Sequence, residues 1–128
     1  MTNEQSTQKL TFDDYQQSIE KFCVYPGNNI SLAYEGTLPS GLSYVTEGLF
    51  GELGEVMEKV KKIRRDKSGV VSSQDIEEIT KELGDVIFYL ARYCYHLDIS
   101  FSDVAQTNIN KLESRLARNK INGNGDNR

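Results

Sequence analysis

The sequence is poor in the residues that build disulfide frameworks and transition-metal sites. It has no tryptophan, one histidine and two cysteines in 128 residues. Cys23 and Cys94 lie far apart in the sequence, so they form neither a metal-spaced pair nor a redox pair. We therefore expect two free thiols, as is usual for a cytoplasmic protein, and no zinc centre.

Long hydrophobic runs are also missing. No apolar stretch approaches the roughly 18 to 20 residues that cross a bilayer, and residues 1–10 are polar where a signal peptide would be apolar. Acidic residues outnumber basic ones by 19 to 15, which gives a formal charge of −4 and argues against general nucleic-acid binding. We expect a single-domain cytoplasmic protein that binds neither membranes nor nucleic acids in general.

No segment has the two-residue period of a strand, whereas four segments have helical spacing. The predicted helices run from about Phe12 to Val24, Leu42 to Arg65, Gln74 to Leu97, and from a cap at Ser100 to about Asn119. Thr11 and Asp14 predict a capping box at the first start. The predicted fold is an all-α antiparallel four-helix bundle over residues 11–119, between a polar tail at 1–10 and a flexible tail at 120–128.

Each of the three later helices has an apolar face that is predicted to point inward. Those faces comprise Leu42, Val45, Leu49, Leu53, Val56, Met57, Val60 and Ile63, then Ile76, Ile79, Leu83, Val86, Ile87, Leu90, Cys94 and Leu97, and finally Val104, Ile109, Leu112 and Leu116. The third helix also carries Phe88, Tyr89, Tyr93 and Tyr95 outside this face. A helix that is apolar on every side needs partners on every side, so we expect a homo-oligomer, at least a dimer.

Two acid pairs repeat in the middle of the second and third helices. Glu52 and Glu55 stand in "ELGEV", and Glu82 and Asp85 stand in "ELGDV". Each pair flanks the apolar face of its helix, so packing those faces together brings four carboxylates close to one another. Ligation by carboxylate oxygen alone selects Mg²⁺ or Mn²⁺ rather than zinc, and the sequence therefore predicts a metal site.

Glycines interrupt both acid pairs. Gly54 and Gly84 stand in helix interiors, where glycine costs about 1 kcal/mol relative to alanine. We interpret them as positions where a neighbouring backbone or a ligand comes close.

A polar and basic stripe on the fourth helix complements the acids. Asn108, Lys111, Arg115 and Arg118 recur at helical spacing, and Lys59 and Lys62 follow the first acid pair. Magnesium sites with few protein ligands commonly hold substrate phosphates as well, and phosphates need Lys and Arg as counter-charges. Lys59, Asn108, Lys111 and Arg115 are the predicted substrate-binding residues.

These motifs resemble the signature of the MazG-like all-α nucleoside triphosphate pyrophosphohydrolases. The resemblance rests on Glu-x-x-Glu at 52–55, Glu-x-x-Asp at 82–85 and the later Asn-x-x-Lys at 108–111. It covers most of the chain, through "TFDDYQ", "GLFGELGEVMEKVKK", "KELGDVIFYLA", "NINKLESR" and the ending "GNGDNR". One departure is Glu47, where an apolar residue is expected one turn before the first acid pair.

The resemblance implies Mg²⁺-dependent hydrolysis of a nucleoside or deoxynucleoside triphosphate to the monophosphate and pyrophosphate. It also implies assembly as a dimer or a tetramer. Glu52, Glu55, Glu82 and Asp85 would hold the metal, and Glu55 is the candidate to orient or deprotonate the attacking water.

Three other kinds of protein share features with this sequence. A di-iron carboxylate bundle needs Glu-x-x-His pairs, and Tyr93 stands three residues before His96, the one histidine. That histidine is predicted to cap the third helix or lie on the surface. A phosphoribosyl-ATP pyrophosphohydrolase-like activity and a non-catalytic helical interaction or regulatory module remain alternatives.

Overall fold

The structure is a computed structural model that describes residues 8–32 and 36–126. Within these ranges it is all-helical and has no strand, as predicted. Its helices are α1 (Phe12–Ser18), α2 (Gly41–Asp66), α3 (Ser73–His96) and α4 (Phe101–Ala117), with a short 3₁₀ helix at Glu20–Phe22. No helix in the described ranges is long and apolar enough to cross a membrane. Most of the predicted N-terminal tail and residues 127–128 lie outside the described residues.

Side-chain caps fix where three of the helices begin. At α1 the Thr11 hydroxyl accepts from the Asp14 N–H at 3.0 Å while the Asp14 carboxylate accepts from the Thr11 N–H, also at 3.0 Å. Ser72 and Asp75 form the same capping box at α3. Ser100 caps α4 by accepting from the Asp103 N–H. The α1 capping box and the Ser100 cap match the prediction.

Helix α1 is shorter than predicted, because the chain passes at Ile19 into the 3₁₀ turn. Ile19 packs in the small core with Ala91, Cys94 and Phe101. Helix α1 therefore sits across the C-terminal half of α3 and the beginning of α4 rather than running on as a long bundle helix.

Helices α2 and α3 form the main antiparallel pair. Lys67, after the end of α2, binds Asp75 in the first turn of α3, with 2.8 Å from Nζ to each carboxylate oxygen. Near the other end of the pair, Gly48 faces the Tyr89 ring so closely that an added Cβ would lie 2.4 Å from a ring carbon. This antiparallel register places the middle of α2 beside the middle of α3.

Much of the predicted apolar face is exposed in the single chain. Leu53, Val60, Leu83, Ile87 and Leu90 are exposed, and so are Met57 and Ile76 of the same faces and Val104, Ile109, Leu112 and Leu116 of α4. The prediction that these residues point into the core of one chain is wrong. The physical reason is the placement of α4, which is held near its N-terminal end and does not lie along α2 and α3. The described residues alone do not close a four-helix bundle.

The predicted surface or capping role of His96 is also wrong, because its side chain is fully buried. Its Nδ1 lies 2.7 Å from the Ile30 carbonyl oxygen, and its Nε2 lies 2.7 Å from the Tyr25 hydroxyl. A carbonyl can only accept, so Nδ1 carries the proton and Nε2 accepts from Tyr25. Arg92 donates from Nε to the same hydroxyl at 2.9 Å. The loop before α2 is thereby clasped to the end of α3.

Candidate metal centre

Three of the four predicted metal ligands come together between α2 and α3. Glu52, Glu82 and Asp85 each offer a carboxylate oxygen, and these oxygens lie within 4.8 Å of one another. Glu52 and Glu82 are half-buried, whereas Asp85 is exposed. Since Glu82 and Asp85 are one turn apart on α3, the antiparallel register is sufficient to bring both toward Glu52 on α2.

The electrostatics of this cluster disfavour three bare charges. The pKa of Glu52 is raised above its usual value, first by burial and then by the negative charges of Asp85, Glu82 and Glu55. A divalent cation would reverse this effect, because it replaces repulsion between carboxylates with attraction to the ion. The donor set, which consists only of carboxylate oxygens, suits Mg²⁺ or Mn²⁺.

Glu55 lies one turn beyond Glu52 and is exposed. It does not belong to the close group of three oxygens, although its charge contributes to the raised pKa of Glu52. The structure therefore places Glu55 at the edge of the acidic cluster, open to solvent. Glu47, the departure from the family pattern, is exposed as well.

Lys59 is the predicted substrate-binding residue that lies beside the acids. Its Nζ is 3.8 Å from Glu82 and 3.6 Å from Glu78. The lysine is half-buried, so its positive charge borders the acidic cluster.

The other predicted substrate-binding residues lie on α4. Asn108 is exposed, while Lys111 and Arg115 both bind Asp126 of the C-terminal segment. Helix α4 packs on α1 and on the end of α3, and it does not run along the acid-bearing part of α2 and α3. Within one described chain, Lys111 and Arg115 are thus engaged by the C-terminal segment and not by the acids.

The close approach between α2 and α3 occurs at Gly48 and not at Gly54 or Gly84, the two glycines within the acid pairs. Around Gly54 and Gly84 an added Cβ would meet nothing within 4 Å, so the expectation of a tight backbone contact at these positions is wrong for the single chain. Gly48 makes the close approach instead, against Tyr89. The space above Gly54 and Gly84 is open, and a ligand can reach the helix backbone there.

Two tyrosines that are not among the predicted site residues lie near the acids. The pKa of Tyr15 is raised by burial and then by the charge of Asp85, and the pKa of Tyr89 is raised by burial, by Tyr44 and by the charge of Glu52. Tyr89 stands four residues after Asp85, which is a detectable helical signal. Nothing in the sequence links Tyr15 to this place, since it arrives there through the packing of α1 on α3.

The described residues are all-helical and bring three carboxylates from the two acid pairs close together. The model of the MazG nucleotide pyrophosphohydrolase domain matches residues 41–118, which contain both acid pairs, and the chain belongs to this family. The "Gene 37 protein" of Mycobacterium phage L5 is 47% identical over 116 residues, which cover 91% of this chain and 97% of that protein. No solved structure matches the chain. The family resemblance predicted from the sequence is confirmed.

Proposed function

We propose that this protein hydrolyses a nucleoside or deoxynucleoside triphosphate between the α- and β-phosphates, releasing the monophosphate and pyrophosphate. Support comes above all from the cluster of Glu52, Glu82 and Asp85, which joins oxygens from both acid pairs of a MazG domain within 4.8 Å. The raised pKa of Glu52 supports the proposal, because a cation beside this carboxylate would offset the effects of its burial and of the neighbouring negative charges.

In this proposal Glu52, Glu82 and Asp85 hold Mg²⁺, with Mn²⁺ as a possible substitute and Glu55 as a further ligand from the edge. When bound, Mg²⁺ neutralises charge on the phosphate oxygens and lowers the pKa of a coordinated water. Glu55, exposed one turn from Glu52, would orient or deprotonate the water that attacks the α-phosphorus. Lys59 would exchange its contact with Glu82 for a phosphate oxygen.

We further propose that the phosphate-binding cations on α4 come from a second copy of the chain. Lys111 and Arg115 do not reach the acids of their own chain, while the faces of α2 and α3 beside those acids expose Leu53, Met57 and Leu83. A second copy that covers these apolar residues would bring another α4 toward the metal cluster. Asn108 would then contact a phosphate, the sugar or the base.

The test is a panel of common and damaged nucleoside triphosphates together with phosphoribosyl-ATP, with pyrophosphate release followed with and without Mg²⁺. Hydrolysis in ¹⁸O-labelled water identifies the phosphorus that is attacked, because label in the monophosphate requires attack on the α-phosphorus. A preference for phosphoribosyl-ATP would assign that related activity instead. Absence of Mg²⁺-dependent turnover across the panel would favour a non-catalytic helical module.

A further inference from the structure

The C-terminal segment, residues 121–126, folds back onto α4 and is called the strap here. The Asp126 carboxylate oxygen Oδ1 lies 3.2 Å from Lys111 Nζ and 3.3 Å from Arg115 Nη2. Arg115 Nη2 also donates to the carbonyl oxygens of Asp126 at 2.9 Å and Gly125 at 3.3 Å. The strap therefore supplies one carboxylate and two carbonyl oxygens to the two cations.

Charge and burial differ sharply between the two sides of this contact. The Arg115 side chain is only 5% exposed, and its Nε is buried without a hydrogen-bond partner in the described structure. The Asp126 side chain is 83% exposed. A guanidinium stays charged at any working pH, so its burial requires an anion close by. Because the anion that is present faces water, another anion can displace it without opening the core.

We propose that the strap is an internal competitor, in which the Asp126 carboxylate occupies the site that Lys111 and Arg115 offer to substrate phosphates. A carboxylate carries one negative charge, whereas a diphosphate or triphosphate carries several and accepts more hydrogen bonds. A polyphosphate chain therefore displaces Asp126, and the strap leaves when the nucleotide binds. This inference rests on the proposed function, since it assumes that the two cations meet phosphates.

The strap also has a consequence for the affinity of every anion that competes with it. A ligand with a single phosphate makes fewer charge contacts with Lys111 and Arg115 than a polyphosphate does, so its affinity is lower from the outset. The closed strap removes the same fraction of free sites for both ligands and therefore raises both dissociation constants by the same factor. Removal of the Asp126 charge should consequently tighten pyrophosphate and orthophosphate binding by similar factors.

The test measures pyrophosphate and orthophosphate binding by calorimetry in metal-free buffer, with the full chain and with Asp126→Asn. We expect Asp126→Asn to bind pyrophosphate several-fold more tightly and orthophosphate more tightly by a similar factor. The matched control is Glu113→Gln, which removes one negative charge from an exposed position on α4, the helix that carries Lys111 and Arg115. It should change neither affinity. Unchanged or weaker pyrophosphate binding by Asp126→Asn would overturn the proposal, because the strap would then be structural or part of the binding site.

A second measurement needs no variant and stays valid if Asp126→Asn folds poorly. The carboxyl ¹³C shift of Asp126 in the full chain should move toward that of a solvated aspartate as pyrophosphate is added, since its contacts with Lys111 and Arg115 would be lost. A shift that stays constant at saturating pyrophosphate would also overturn the proposal. Displacement of the strap together with no turnover of any nucleotide would uphold the competitor and reject the hydrolase.

Discussion

Asp85 is the exposed member of the acidic cluster, so its charge can be removed at little cost to packing. In Asp85→Asn the fold should survive, and the metal-free protein should be as stable or slightly more stable, because the carboxylates then repel each other less. Mg²⁺ should stabilise the variant less than the parent chain, and turnover should fall at least about 100-fold. Melting temperatures with and without Mg²⁺, paired with turnover, check this prediction.

Glu113→Gln is the control for this charge change, since Glu113 is an acid exposed on α4. It should retain both turnover and the Mg²⁺-dependent rise in melting temperature. If Asp85→Asn kept near-normal turnover, Asp85 would not be a metal ligand. If the variant lost its fold as well as its activity, Asp85 would be a structural acid.

Two glycines of α2 should respond in opposite ways to a methyl group. In Gly48→Ala the new Cβ would lie 2.4 Å from the Tyr89 ring, and overpacking of this kind lowers the free energy of unfolding by about 1–3 kcal/mol. In Gly54→Ala the added Cβ meets no atom within 4 Å. The gain in helix propensity should therefore raise the free energy of unfolding by about 0.5–1 kcal/mol. Urea unfolding of both variants measures the difference. An equal loss in Gly54→Ala would show that another surface covers that position.

At the scale of elements, the clasp between the loop before α2 and the end of α3 should respond to pH. Burial lowers the pKa of His96 below its ordinary 6.5, and the nearby Arg92 lowers it further, against the opposing effect of the Ile30 carbonyl. The unfolded chain therefore takes up the proton at a higher pH than the folded chain. The stability that neutral His96 provides is complete above about pH 6.5 and is lost as the pH falls toward the lowered folded value.

Thermal melts between about pH 8 and pH 5 check this, and the limiting slope for one group is about 1.4 kcal/mol per pH unit. His96 is the one histidine of the chain. Because the raised pKa of Glu52 contributes a slope of opposite sign, the comparison with a His96 variant isolates the share of His96. His96→Gln should be less stable at neutral pH but should show a flatter dependence on pH. Identical slopes for the two proteins would contradict a titrating role of His96.

Local signals in the sequence were sufficient for most helix boundaries. Thr11 with Asp14 and Ser100 with Asp103 mark starts because a cap is an interaction between residues three positions apart. Helical spacing is local as well, and it places each acid pair beside the apolar face of its helix. Glu52, Glu82 and Asp85 could therefore be expected to meet once α2 and α3 were paired. The clasp could not be predicted in this way, because it joins Tyr25 and Ile30 to His96, which follows them by 71 and 66 residues, through a loop without periodicity.

The position of α4 could not be predicted for a different reason. An apolar stripe such as Ile109, Leu112 and Leu116 indicates that a helix face needs cover, but it does not identify the covering surface. The described chain leaves this stripe exposed. Helical spacing likewise gives no indication that the C-terminal segment binds Lys111 and Arg115.

At the scale of the whole molecule, the exposed apolar faces predict self-association. Phe50 and Met57 are each 71% exposed on the same helix, and further exposed apolar residues continue along α2, α3 and α4. Contiguous surfaces of this kind are typical of interfaces between proteins. Light scattering at micromolar concentration should give at least the mass of a dimer.

Met57→Glu should lower this mass toward that of one chain, because a charge would be buried in the interface. Val70→Glu is the matched control, since Val70 is also 71% exposed but lies in the turn between α2 and α3. It should leave the mass unchanged. A monomeric parent chain would refute self-association at this concentration.

If α4 of one copy serves the acids of another, two inactive variants should restore each other. Asp85→Asn disables the acidic half of a site, and Lys111→Ala disables its cationic half. Co-refolding equal amounts should produce mixed dimers that carry one intact site and one doubly altered site, so about a quarter of the parent turnover per chain should return. A mixture of Asp85→Asn with Glu82→Gln is the control, and it should stay inactive because both changes fall in the same half. No recovery in the first mixture, despite mixed dimers detected by mass, would place Lys111 and the acids in the same chain's site.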